Sequence, residues 1–169
     1  MIPSPAFMRS LRIFLFGCAV ACSGILALQA DSTSGPLQIN SSSGWTVNYR
    51  EQSETPFYTL SPPSGGNVLL VFWRSPLKGG KSQIPGLLNR LSKGFLRLSA
   101  AQVQGQPLNG DFQGDEFGGS FTEFHMDDGL VQTILLFCDG DVIWQGHFTG
   151  NDEMLKEAVE ILKALKEKA

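Results

Sequence analysis

Cysteine is scarce in this sequence, and its placement excludes several functions. Of three cysteines, Cys18 and Cys22 fall in the first 22 residues and Cys138 alone lies beyond them. The chain after its N-terminal segment therefore has neither a disulfide framework nor a Cys-x-x-C redox pair. Histidine occurs twice, at His125 and His147, whereas a zinc site needs three or four ligands in clustered spacing. No Gly-x-Ser-x-Gly elbow is present to present a nucleophilic serine, and no Gly-rich phosphate-binding motif occurs. Charge of one sign is also missing over long stretches. Residues 1–30 hold no acid, residues 55–110 hold no acid, and residues 98–155 hold no base. With a net charge of −3, the chain lacks the basic excess expected of a nucleic-acid-binding protein.

What the first thirty residues do have is Arg9 and Arg12 followed by eighteen uncharged residues, Ile13 to Ala30. A basic start, an apolar middle and a small final residue make a secretory signal peptide, with cleavage expected after Ala30. Two alternatives stand beside it. The apolar run is near the lower limit for a membrane span, diluted by Gly17, Ser23 and Gly24, which is the uncleaved-anchor reading. Cys22 follows Ala19-Val20-Ala21, an incomplete lipobox, which is the reading of an envelope lipoprotein. The expectation is export to a periplasmic or extracellular compartment, with no membrane span in the mature protein. The 139 residues after Ala30 are the size of one domain, able to bury about two thirds of their unfolded surface without covalent staples.

Within that length, residues 31–44 are rich in Ser, Gly and Asn and read as a flexible leader. A single globular domain follows over 45–169. Alternation and β-branched or aromatic content predict strands at 45–51, 56–63 and 67–75, with Pro-Pro-Ser-Gly-Gly as the turn between the last two. A helix is expected over 83–98, with Ser82 as its N-cap and Pro85 in the first turn. Ile84, Leu87, Leu88, Leu91, Phe95 and Leu98 form its apolar face at helical spacing. Arg90, Lys93 and Arg97 fall on the opposite face.

The Gly- and Asp-rich stretch from 100 to 119 shows no apolar stripe. Strands are expected again at 120–126, 130–138 and 141–149. Asp139-Gly140 is read as a two-residue hairpin turn. That register sets Phe137 against Val142, Leu135 against Trp144 and Val131 against Phe148, one continuous apolar face. Ile134, Leu136 and Ile143, with Gln132, Gln145 and His147, make the other face, half apolar as it would be under a helix. Asn151 then caps a final helix with Asp152 and Glu153 in its first turn and Lys163, Lys166 and Lys168 in its last, charges that suit the helix dipole.

Two resemblances follow from these residues. Val-Leu-Leu-Val-Phe-Trp at 68–73, and a last hairpin and helix, are similar to thioredoxins. Leu77 and Gly80 stand where the two thiols belong, and no proline follows Pro107, so the resemblance implies a redox-inactive relative. The order strand, strand, strand, helix, meander, helix resembles the PsbP-like fold more fully. Gly44-Trp45, the Leu-Ser-Pro-Pro-Ser-Gly-Gly hairpin, the mid-chain helix before a long meander and the closing Ile-Leu-Lys-Ala-Leu-Lys carry the likeness over 44–168. It implies an α+β domain, an antiparallel meander sheet covered by helices as an α/β/α sandwich. Members of that fold are mostly binding or accessory proteins.

The functional expectation is an exported, non-catalytic accessory or partner-binding domain that needs no cofactor, with an unknown protein as its partner. Arg90, Lys93 and Arg97 are the candidate partner-binding face, set against acids at 111–153 that form the opposite pole. Cys138 ends the apolar run Thr-Ile-Leu-Leu-Phe-Cys and reads as a buried structural thiol, since Asp139 and Asp141 disfavour a thiolate. No catalytic or metal site is expected. The weighed metal groupings, His125 and His147 with Asp127 and Asp128, or the oxygens of 109–116, lack the ligand series such sites need.

Overall fold

The computed structural model describes residues 35–40, 44–63 and 69–168. The expected signal peptide, the Cys22 lipobox and part of the turn at 62–66 lie outside the described residues. Strands β1 (Leu37–Gln38), β2 (Thr46–Arg50), β3 (Phe57–Ser61) and β4 (Leu70–Lys78) precede helix α1 (Ile84–Ser99). Strands β5 (Val103–Gln113), β6 (Gly118–Met126), β7 (Val131–Asp139) and β8 (Val142–Gly150), helix α2 (Asp152–Lys163) and strand β9 (Lys166–Glu167) follow. Seven strands form one sheet in the order β2-β3-β4-β8-β7-β6-β5, and each neighbouring pair is antiparallel. β1 and β9 pair separately, also antiparallel. The described residues are thus α+β, with two α-helices and a large antiparallel sheet. A parallel core, which a thioredoxin-like arrangement needs, is absent among the described residues.

The core forms where the apolar positions of alternating strands meet α2. Tyr58, Phe72, Phe137 and Trp144 form its aromatic centre, with Phe72 edge-on to Phe137 at 5.5 Å and Phe137 stacked on Trp144 at 6.3 Å. Leu155, Ala158, Ile161 and Leu162 of α2 close it. Trp45 ties the first long strand to that helix: buried to 2 % exposure, it donates its indole N–H to Glu157 Oε2 at 2.9 Å. A second apolar group gathers under α1, where Phe95 lies 4.4 Å from Phe124 of β6. Ile84, Leu87 and Leu88 are buried there.

Several sequence expectations need correction. The β7–β8 turn is Gly140-Asp141, so Phe137 faces Trp144, Leu135 faces Gly146 and Thr133 faces Phe148. Gly140 has a positive φ of 56° and Asp141 does not. That is the pattern of a turn with glycine first, whereas Asp-Gly at the centre needs positive φ at both residues. The slip is two residues, so every side chain keeps its expected face. Residues 103–113, part of the stretch that shows no apolar stripe, form the longest of the described strands and the edge of the sheet. Phe112 is its one fully buried side chain, which is why no alternation shows in the sequence.

Ser82 does not cap α1; it lies in a single 3₁₀ turn, and Gln83 takes the cap position without a side-chain bond. Leu98 falls on the expected stripe but is 57 % exposed in the last turn, beyond the cover of the sheet. Helix α2 does start at the Asn151 cap, whose Oδ1 accepts from Met154 N at 2.9 Å. It ends at Lys163, not in the run to Lys168, because Lys166–Glu167 pairs with Leu37–Gln38. Leu37 and Ile39, placed in the flexible leader, are buried in the core.

Candidate functional site

Strand β6 runs between β5 and β7, so its backbone is hydrogen-bonded on both sides. Side chains alternate along it: Phe124 meets α1, and Phe121, Glu123 and His125 point the other way. The register sets His125 against Val131 and Val131 against Gly150. The chain leaves Gly150 through the Asn151 cap into α2, which brings Asp152, in the first turn, to the side chains of Glu123 and His125.

The result is an open groove of about 420 Å³ between α2 and the β5–β6 end of the sheet. Phe121, Leu155 and Val159 form its apolar floor, and Leu108 of the edge strand stands at its side, 53 % exposed. Its rim carries both signs of charge: Glu123, Asp152 and Glu160 against Lys156 and Lys163, with His125 among them. Lys163 and Glu160 satisfy each other at 2.6 Å. At the other end, one ligand-type atom from each of Glu123, His125 and Asp152 lies within 4.8 Å of the others, and His125 Nε2 stands 4.0 Å from Glu123 Oε2. Burial raises the Glu123 carboxyl above its ordinary pKa, offset in part by His125 and Lys156 and reinforced by Asp152. This arrangement can host a short apolar segment between charged groups, or gather oxygen and imidazole donors around a cation.

The expected site residues lie elsewhere. Arg90, Lys93 and Arg97 are exposed on α1. Cys138 is a buried free thiol on β7, directly opposite Ile143. Burial, then Asp139, pushes its pKa up against a smaller opposing effect of Lys81. The two histidines do not converge. His147 is paired with Ile134, on the side of the sheet away from His125, and stacks on Trp73 at 5.5 Å. Asp127 and Asp128 turn the chain between β6 and β7 instead, and Asp128 Oδ1 accepts from Leu130 N at 2.9 Å. The oxygens of 109–113 belong to an edge strand rather than a loop.

Sequence reasoning missed the Glu123–His125–Asp152 grouping. Its one local signal was Glu-x-His on a strand, which places both side chains on one face. The third member comes from 27 residues further on, through two strand registers.

The fold and groove define an α+β domain with an open, charged-rim cleft. Neither a scan against protein-family models nor a search of curated proteins finds a match for the chain.

Proposed function

We propose that this chain is an exported accessory domain, an α/β/α sandwich of the PsbP-like kind, that binds a protein partner through the groove between α2 and β5–β6. The groove carries the reading. An apolar floor with charged groups around it is the pattern of a protein interface, an apolar centre that excludes water inside a polar rim that fixes orientation. The opposite parity of Phe124, under α1, and Phe121, beside Leu155 and Val159, supports the sandwich. Wholly antiparallel pairing favours it over the redox-inactive thioredoxin alternative.

Export rests on Arg9, Arg12 and the apolar run to Ala30. Intact mass of protein from expressing cells is expected to start near Asp31; retention of residues 1–30 refutes cleavage, and a diacylglyceryl group on Cys22 establishes the lipoprotein instead.

Partner binding is tested by crosslinking in expressing cells. Leu108→Lys places a charge at the exposed side of the groove and should abolish a specific crosslinked species. Charge reversal of Arg90, Lys93 and Arg97 should leave that species in place. The opposite result moves the partner to the basic face of α1.

A further inference from the structure

We propose that Glu123, His125 and Asp152 form a binding site for a divalent transition-metal cation of the zinc type at the mouth of the groove. The proposal deepens the groove reading by assigning a ligand to one end of it, but its test requires no partner protein.

The donors are one imidazole nitrogen and two carboxylate oxygens, mutually within 4.8 Å. Zinc bonds of about 2.0–2.2 Å hold tetrahedral donors about 3.4 Å apart, so donors up to 4.8 Å apart have to close by up to about 1.4 Å on binding. Imidazole suits zinc, copper, iron and nickel, whereas calcium and magnesium sites are built from oxygen. Three protein donors leave one position open towards the groove, available to water or to a partner's carboxylate.

The supports of the three donors are rigid. Glu123 and His125 are two residues apart on an interior strand of the sheet, and Asp152 follows a capped helix start. Two carboxylates side by side, Glu123 half-buried and Asp152 exposed, repel each other unless a cation lies between them. Lys156, one turn along α2 from Asp152, lines the same groove, and its charge acts on Glu123 from there, against the larger effect of burial. Glu160 and Lys163 pair with each other further along. A metal ion therefore competes with Lys156 and replaces its role.

The test is a calorimetric titration of the untagged protein with zinc chloride, with calcium chloride as the comparison, while the two histidines are followed by nitrogen-15 NMR. One saturable zinc site is expected, shifting the ring nitrogens of His125 and leaving those of His147 in place, with calcium at least tenfold weaker. His125→Ala and Glu123→Gln should each weaken zinc binding about tenfold or more, and Lys156→Ala should strengthen it. The NMR arm uses the unaltered protein, so it decides the matter even if a variant fails to fold. Absence of zinc binding, binding that leaves His125 unmoved, or calcium binding as tightly as zinc overturns the proposal. None of these outcomes depends on the crosslinking result at Leu108, so the two readings fail separately.

Discussion

Trp144 lies in the aromatic centre of the core. It is 4 % exposed and lies 6.1 Å from the Phe72 ring and 6.2 Å from Tyr58, in addition to its stack on Phe137. Trp144→Ala should destabilise by about 3–5 kcal/mol, the range for truncating a buried aromatic; an unchanged denaturation midpoint would place the side chain outside the core. His147 makes a prediction about pH. Burial lowers its pKa from 6.5 to about 3, partly offset by a hydrogen bond to the Thr133 backbone. The unfolded chain therefore binds the imidazole proton below pH 6.5 while the folded chain does so only near 3, and stability falls as pH falls through that window. Asp139 acts in the opposite sense. Burial and then Glu167 raise its pKa from 3.8 to about 6, so its contribution to stability is full below 3.8 and is lost as pH rises through 6. His147→Gln should therefore flatten or reverse the loss of stability between pH 6.5 and 4. A pH profile identical to that of the unaltered protein would show that His147 titrates normally in the fold.

Elements were legible where each carries its own periodic apolar face. The stripe at 84, 87, 88 and 95 located α1 to within a residue at each end, and Asn151 with Asp152 and Glu153 marked the start of α2. Strand β5 was illegible because an edge strand with one fully buried side chain has nothing to alternate. Its backbone is held by β6, and the Phe121 ring lies over Gly110 where a side chain would otherwise be. Strand β4 runs past the expected end at Ser75 because a register shift between Arg74 and Lys78 accommodates Pro76, as bulges do for a residue without an N–H. The candidate site was illegible for a related reason: each of its donors is ordinary in its own element, and two strand registers are needed to bring them together. At α1, Arg90, Lys93 and Arg97 are exposed and take part in no salt bridge among the described residues. Replacing all three by Glu should change stability by less than about 1 kcal/mol, the usual limit for exposed charges. A larger loss that shrinks in high salt would mean that they are attracted by the acidic turns, since salt screens exposed charges beyond about 8–10 Å.

At the scale of the whole molecule, the two ends of the described domain meet. Leu37 is 1 % exposed, its N–H donates to the Tyr58 hydroxyl at 2.8 Å, and its strand pairs with Lys166–Glu167. Lys168 N donates to Pro36 O at 3.0 Å, and Glu167 N donates to Glu116 Oε2 at 2.8 Å, which ties the same strand to the β5–β6 turn. Gly114 in that turn sits so close to the Lys163 carbonyl that a Cβ there would overlap it. Short segments from the start, middle and end of the domain thus fasten one edge of the core, and each is too short to be stable without the others. Deleting residues 166–169 removes the strand pair and both tethers. At about 0.5–1.5 kcal/mol for each net hydrogen bond, the two tethers alone account for about 1–3 kcal/mol, and the loss should be at least that. Leu37→Ala should cost about 2–5 kcal/mol by itself, as a buried leucine truncation. If β9 is what holds Leu37 against Tyr58, the two changes share one cause, and their combined loss should fall short of the sum by more than about 0.5 kcal/mol. Denaturant midpoints of the two single changes and the double change measure this directly. Full additivity would show that Leu37 is held by the core alone and that the terminal strand pair is incidental.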